Sequence, residues 1–414
     1  MTMSSFILSS ELVSSAGYQA QWHLHGRRLS GQLCRSVNAE QAWLQLNDYG
    51  SRDIVIAFAD DGCQLDAISS RYNEKFVAAA YLKKGSLISS PPQQIKDSMF
   101  VSGHRHGTAL AGLIAGEIHR SLPTGVAPGC SLLPVRWEYD DGFYISQQGF
   151  NSIIRYLADK ADIFVNTWAS LPHMRFSDEN IKLINNLAKN VGRRGKGILF
   201  IWAAGNSGCP IHFHSESPVA YTGYVKDNVL FESRFSTDFT HSLCDLENVL
   251  TVAATNFYGR RAHYSCYGPG ISLCAPSNNR HCFDAYPFNE PGLTTRSGDY
   301  RGYTHNFKGT SGAAGLVAGV AALTLSANPQ LSACELANIL CTTAAKDLDM
   351  RSYTEHRYEV FGLTENRVSD LPLVPFRHGT FDVNGWSPWF GHGLVDAGRA
   401  VNMALTRKKQ AGTF

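Results

Sequence analysis

The chain has 414 residues, 44% hydrophobic and 17% charged, which suits one large globular domain or two ordinary ones with ample core. Its formal charge of +2 argues against a strong pull toward nucleic acid or anionic membrane, so neither is expected as a partner. No apolar run reaches the ~20 residues of a membrane span.

The N-terminal stretch MTMSSFILSSELVSSAGYQ has no Lys or Arg ahead of its short apolar segment, unlike a secretory leader. DIVIAFA (53–59) reads as a buried strand that stops at Asp60-Asp61-Gly62. HGTALAGLIAGEIH (106–119) reads as a small-residue helix packed on all sides, and SLLPVRW (131–137) as a strand. NSIIRYLADKA (151–161) is an amphipathic helix, followed by the strand DIFVNTW (162–168). DENIKLINNLAKNVGRRG (178–195) is a helix closed by glycine, followed by the strand GILFIWAAG (197–205). Gly208 to Asp245, rich in His, Ser, Phe and Asp, reads as an elaborated surface loop. VLTVAAT (249–255) is a strand and GTSGAAGLVAGVAALTLSA (309–327) a long buried helix. LSACELANILCTTA (331–344) is a Ser-capped helix, and Arg407-Lys408-Lys409 reads as a frayed, solvated tail. Repeated alternation of strand and helix predicts a three-layer α/β fold, a mostly parallel central sheet with helices on both faces.

Ligands of open parallel sheets bind beyond the carboxyl ends of the strands. Asp60, His106, Asn206 and Ser311 stand at such strand ends or at the helix starts that follow. A serine hydroxyl becomes nucleophilic when a histidine takes its proton, a carboxylate orients that histidine, and a donor receives the oxyanion. Asp60, His106, Asn206 and Ser311 supply those roles in the chain order Asp, His, Asn, Ser. Each fragment also has a plain reading: an Asp-Gly turn, a helix-start histidine, a loop asparagine, the head of an Ala/Gly helix. It is their combination in matching contexts that points to nucleophilic catalysis.

IVIAFADDG, RHGT, GRRGKGILFIWAAGNSG (192–208), GLTT (292–295) and FKGTSGAAG (307–315) together resemble the subtilases, and most nearly their kexin/furin branch. QWHL (21–24) resembles the start of that branch's catalytic domain and FGHGLVDAGRAV (390–401) the family's closing segment. The resemblance implies a subtilisin-like catalytic domain at 21–406, preceded by an extension at 1–20 and followed by the basic tail at 407–414. It also implies that Asp60 orients the imidazole, His106 is the base, Asn206 stabilises the oxyanion and Ser311 attacks. Thr167-Trp168-Ala169 takes the place of the family's substrate-pairing Ser-Trp-Gly, and Asp61, Ala204, Gly205 and Thr310 are the other substrate-binding positions implied.

The chain departs from the family in several places. Gly315 stands where proline is usual, and is expected to loosen the first turn of the serine helix. SLPHMRF (170–176) lacks the acids that accept a basic side chain next to the cut. Asp61, Glu138, Asp140 and Asp141 either favour a basic residue one position further out or, for 138–141, form a solvated acidic loop. The family's calcium-binding aspartate falls among Ile68-Ser69-Ser70, so no calcium site is expected. CPIHFHSE (209–216) fits no zinc spacing well and is read as surface loop, giving no metal or other cofactor.

The ten cysteines need not be staples in a chain this long; Cys63, Cys130 and Cys274 sit in apolar stretches as small core thiols, and a reducing compartment is favoured. If Met1 is native, the missing leader predicts a cytoplasmic enzyme that folds alone or with a separate chaperone; a trimmed chain would be secreted. The expected activity is serine endopeptidase cleavage of protein or peptide substrates, with limited processing, and an inhibitor or chaperone as a further partner. A weak or inactive binding protein on the same fold is the alternative, and an esterase or acyl transferase with the same triad a third reading.

Overall fold

A computed structural model describes residues 8, 10–27, 33–137, 145–169, 171–189, 191–221, 225–226, 229–230, 234–279, 290–298, 301–351, 376 and 378–411. The strands Val55–Asp60 and Val249–Thr255 are buried at every position. A strand covered on both faces must be apolar on both, and its alternate side chains enter two separate cores. Ile56, Phe58, Leu132, Val165, Ile201 and Val252 join one core, with the helices His106–Ala115 and Gly309–Ala327. Val55, Ala57, Leu133, Phe164, Phe200 and Trp202 join the other, with Gln147–Leu157 and Asp178–Lys189.

The central sheet has eight strands. Their order is Leu273–Pro276, Val249–Thr255, Leu199–Ala203, Ile163–Asn166, Val55–Asp60, Ser131–Arg136, Ala79–Lys83, Ser86–Ser90. Every pairing is parallel except that of the outermost hairpin, Ala79–Lys83 with Ser86–Ser90. This is the three-layer α/β fold that the strand and helix alternation predicts.

The serine helix spans Gly309–Ala327, as its sequence suggests. Contrary to the expectation that no apolar run reaches a membrane span, its 19 residues are long and apolar enough to cross a membrane, yet 94% of its most apolar stretch is buried inside the protein. Gly315 lies in its second turn, not its first. A Cβ there would stand 2.7 Å from Leu110 Cδ1, the movable tip of a side chain on the histidine helix, so the two helices pack closely at this point. Ser332 caps Ala333–Thr342 through a capping box with Glu335.

Two expectations are corrected. The stretch from Gly208 to Asp245 is not all loop: Phe213–Tyr221 and Arg234–His241 pair antiparallel, and His173–Met174 adds to them in parallel. Its polar composition masks an alternation, with His212 and His214 exposed and Phe213 and Ser215 half-buried. Arg407-Lys408-Lys409 is the end of a helix, Ala397–Ala411, anchored by buried Ala397, Ala400, Val401 and Ala404.

Distant segments lock the layers together. Gln21 Nε2 donates to the carbonyls of Thr124 and Thr294, and Trp22 Nε1 donates to that of Gly292, so QWHL packs on GLTT. Asp162, only 1% exposed, accepts from Val55 N–H at 2.8 Å, Arg193 Nη1 at 2.9 Å and Arg194 Nε at 2.6 Å. It thereby ties the GRRGKG turn to the amino end of the sheet. Asp162→Ala leaves two guanidinium groups and a backbone donor without their acceptor. It is expected to cost about 3 kcal/mol or more, read as a lowered midpoint in urea unfolding.

Candidate active site

The parallel register carries three of the sequence-identified residues out of one sheet edge. Ala59 lies beside Asn166, and Asn166 beside Trp202. One step further along each strand come Asp60 and Thr167, with Asn206 just beyond the third. Asp60 has no exposed surface, and its oxygens lie 2.8 and 2.9 Å from His106 Nδ1. Thr167 Oγ1 donates to Asp60 Oδ2 at 2.7 Å, and Asp61 N–H donates to Asp60 Oδ1 at 2.8 Å. A buried carboxylate needs such donors to remain ionised. A Cβ on Gly107 would fall 2.0 Å from the Gly62 carbonyl oxygen and 2.9 Å from Asp60 Cβ, so only glycine admits this approach of helix to strand.

His106 opens its helix, and Asp61 caps it: Oδ2 accepts from His106 N–H at 3.1 Å and Oδ1 from Gly107 N–H at 2.7 Å. Asp61 is 8% exposed. Both its oxygens face backbone donors, where the sequence suggested an anchor for a basic substrate side chain. The His106 ring also rests against Phe307, centroid to centroid 5.2 Å.

The serine helix begins at Gly309 without a side-chain cap of its own. Its first donors are satisfied from afar, Gly309 N–H by Tyr264 Oη at 3.1 Å and Thr310 N–H by Asn206 Oδ1 at 2.9 Å. A backbone N–H can only donate, so it fixes Asn206 Oδ1 as the acceptor and turns the Nδ2 donors outward from an exposed residue. Thr310 Oγ1 donates to the same Oδ1 and accepts from Gly205 N–H. Ser311 is 5% exposed, and its Oγ donates to the Thr167 carbonyl at 3.0 Å rather than to His106.

Thr167 therefore supports Asp60 with its hydroxyl and engages Ser311 with its carbonyl, which its reading as a substrate-strand residue did not foresee. Trp168 packs its indole against Trp137, Phe150, Phe176 and Trp202, and its carbonyl accepts from Trp202 Nε1. Ala169 is half-buried, and Ala204 is fully buried behind Gly205. Tyr264 was not legible, since no motif marks it, and although Phe307 opens the FKGTSGAAG motif nothing in the sequence placed it against His106. Glu138, Asp140 and Asp141 lie outside the described residues. The CPIHFHSE residues do not converge: Cys209 Sγ lies 3.7 Å from Cys266 Sγ in the core, and His214 pairs with Asp238. His212 instead meets Cys244 and Asp245, their ligand atoms within 4.8 Å of one another. Cys63 is buried, and burial pushes its thiol well above the ordinary value.

The two adjacent carboxylates are driven apart. Burial opposes ionisation of Asp60, but His106 and the surrounding hydrogen bonds hold its carboxyl below the usual value. Burial, then the charge of Asp60, pushes Asp61 up to about 6. For His106 burial works against the charged form, yet the charges of Asp60 and Asp61 and the Asp60 hydrogen bond raise it above 6.5. The Asp60–His106 ion pair thus contributes its full stability between pH 3.8 and 6.5, loses it as pH rises past the raised His106 value, and loses it at low pH as Asp60 takes up its proton. NMR titration is expected to place the His106 midpoint above 6.5 and to move it down in Asp61→Asn, where one of the raising charges is gone. A midpoint unmoved by that substitution would refute this electrostatic account.

The subtilase family model matches residues 51–380. A calcium-dependent protease of Nostoc sp. is 28% identical over 94% of this chain and 52% of its own length. Endoprotease bli-4 of Caenorhabditis elegans is 26% identical over 94% of this chain and 35% of its own. The chain thus spans about half or less of these relatives. Among solved structures, an Aeromonas sobria serine protease in complex with a chaperone aligns at TM-score 0.65 and 20% identity, over 95% of this chain and 67% of that one. A protease of Pseudoalteromonas arctica aligns at TM-score 0.59 and 21% identity, over 94% and 99%. With the family match running along most of its length and this architecture beneath it, the chain belongs to the subtilase family.

Proposed function

We propose that this chain is a serine endopeptidase acting on extended protein or peptide segments. The observation that carries the reading is the Asp60–His106 contact at 2.8 Å, with Thr167 joining the same carboxylate to the Ser311 hydroxyl. Nδ1 faces Asp60, which leaves Nε2 as the basic nitrogen.

In this reading substrate lies along residues 167–169, and Ser311 turns about χ1 from the Thr167 carbonyl toward His106 Nε2. Serine hydrogen bonds are often rearranged in the absence of substrate. The Ser311 oxygen then bonds to the scissile carbonyl carbon while its proton passes to His106. The oxyanion is received by Asn206 Nδ2, held ready by the two donors on Oδ1. His106 returns the proton to the leaving amine, and water repeats the sequence on the acyl-enzyme. Limited processing is the narrower form of the proposal, and cleavage profiling on a proteome-derived peptide mixture tests it.

Fluorophosphonate is expected to label folded wild type and not Ser311→Ala, whose thermal unfolding should match wild type. Failure to label folded wild type would favour a binding protein on this fold, and ester turnover without peptide cleavage an esterase. Asn206→Ala should lower kcat by about 10²–10³ with little change in KM. The rate requires neutral His106, so kcat/KM should rise with pH through a value above 6.5. A profile flat across neutral pH would count against His106 as the base.

A further inference from the structure

Arg296 ends the strand Leu293–Arg296, which packs along the histidine helix, and is 2% exposed. Its guanidinium donates to three backbone carbonyls from separate turns: Nε to Pro123 at 2.7 Å, Nη1 to Ala67 at 3.0 Å, and Nη2 to Glu117 at 2.6 Å. Glu117 and Pro123 belong to the loop leaving the histidine helix, and Ala67 to the turn after the Asp60 strand. Burial lowers the Arg296 pKa to about 10, opposed by the charge of Glu117, so the group remains cationic at neutral pH.

The surrounding groups complete an internal ion site. The Glu117 carboxylate accepts from Ser69 Oγ at 2.6 Å, Ser70 N–H at 2.8 Å and Ser70 Oγ at 3.0 Å. Gln21 holds Thr124 by two bonds, donating to its carbonyl and accepting from its N–H. Loop residues Val126 and Ala127 return to donate to the carbonyls of Leu113 and Ile114, near the end of the helix. The carbonyls that turn inward here would otherwise need a cation or water.

The subtilase resemblance places a calcium-binding aspartate among Ile68-Ser69-Ser70, and the residues present do not fit that ion. Calcium takes 6–8 oxygen acceptors at about 2.3–2.6 Å. Here Ser69 and Ser70 present donors to a carboxylate, and the nearby carbonyls of Ala67, Glu117 and Pro123 already receive guanidinium N–H groups. A calcium ion among those carbonyls would also meet the charge of Arg296.

We propose that the Ala67, Glu117 and Pro123 carbonyls form a cation site filled by the chain's own Arg296, which fastens the loop behind the histidine helix without a metal ion. The tethered cation cannot be chelated away. The inference is independent of peptidase activity and is tested without an activity assay.

Hydrogen exchange on the full chain reads it locally, through peptides covering 63–71 and 116–127. Wild type should exchange identically in calcium and in EGTA, with the same Tm. In Arg296→Ala the same peptides should exchange on the order of tenfold faster, since charge-assisted hydrogen bonds are lost and their acceptors stranded. Millimolar methylguanidinium should then restore protection by refilling the vacated oxygens. Wild-type protection of these peptides that falls in EGTA would overturn the proposal. So would Arg296→Ala exchanging like wild type, or failing to respond to methylguanidinium. Should Arg296→Ala fail to fold, the wild-type chelation arm still decides, and Arg296→Lys, which keeps the charge with fewer directed donors, should give an intermediate exchange rate; exchange like wild type would count against the proposal.

Discussion

The Asp60 carboxylate is a charge with no solvent contact, and the site is organised around making that tolerable. Its donors come from three places: the His106 ring on a helix, the Thr167 hydroxyl at the exit of the neighbouring strand, and the adjacent Asp61 N–H. Removing any of them leaves a buried charge short of a donor, which costs far more than an exposed hydrogen bond contributes. One carboxylate therefore couples strand, helix and loop. Asp61 extends the coupling, because its oxygens take the first donors of the helix that Asp60 orients. Asp60 is held below the ordinary carboxylate value and Asp61 above it, so the negative charge beside the imidazole is concentrated on Asp60.

Both helices that flank the cleft are secured by groups remote in sequence. The serine helix receives its cap from Tyr264 and Asn206, so Ser311 and Asn206 are positioned by the same contacts. The histidine helix is capped by Asp61 at its start, and the loop beyond its end is gathered by Arg296 and Gln21. A helix end buried without partners is unstable, and the unpaired donors and carbonyls at these ends are what the distant residues satisfy. The two helices also meet closely at Gly315, where a Cβ would press on the Leu110 side chain.

How legible this was depended on the range of the cause. The four candidate residues stood out because each sits in a short motif at a strand end or helix start, and backbone periodicity governs those places. The capping contacts of Asp61 were hidden because sequence displays its charge but not the backbone donors beside it. Tyr264 and Arg296 were invisible because a tyrosine in HYSC and an arginine in TTRS carry no local signal; their partners lie 45 and up to 229 residues away. The sheet within 208–245 was hidden for another reason: its strands are edge-like and polar, so composition resembled loop where only the alternation was informative.

By itself the sequence determined the alternation of strand and helix that builds the parallel part of the central sheet, the burial of its inner strands and which four side chains stand at strand ends or at the helix starts that follow. These follow from the spacing of apolar residues, which neighbours along the chain impose. The tertiary structure decided which oxygen meets which donor: that Ser311 rests on Thr167, that Asp61 closes a helix, and that a guanidinium takes the carbonyls behind the histidine helix. Such choices are settled by desolvation and close packing between distant segments, where each buried polar group must find a partner among whatever the fold brings within about 3 Å.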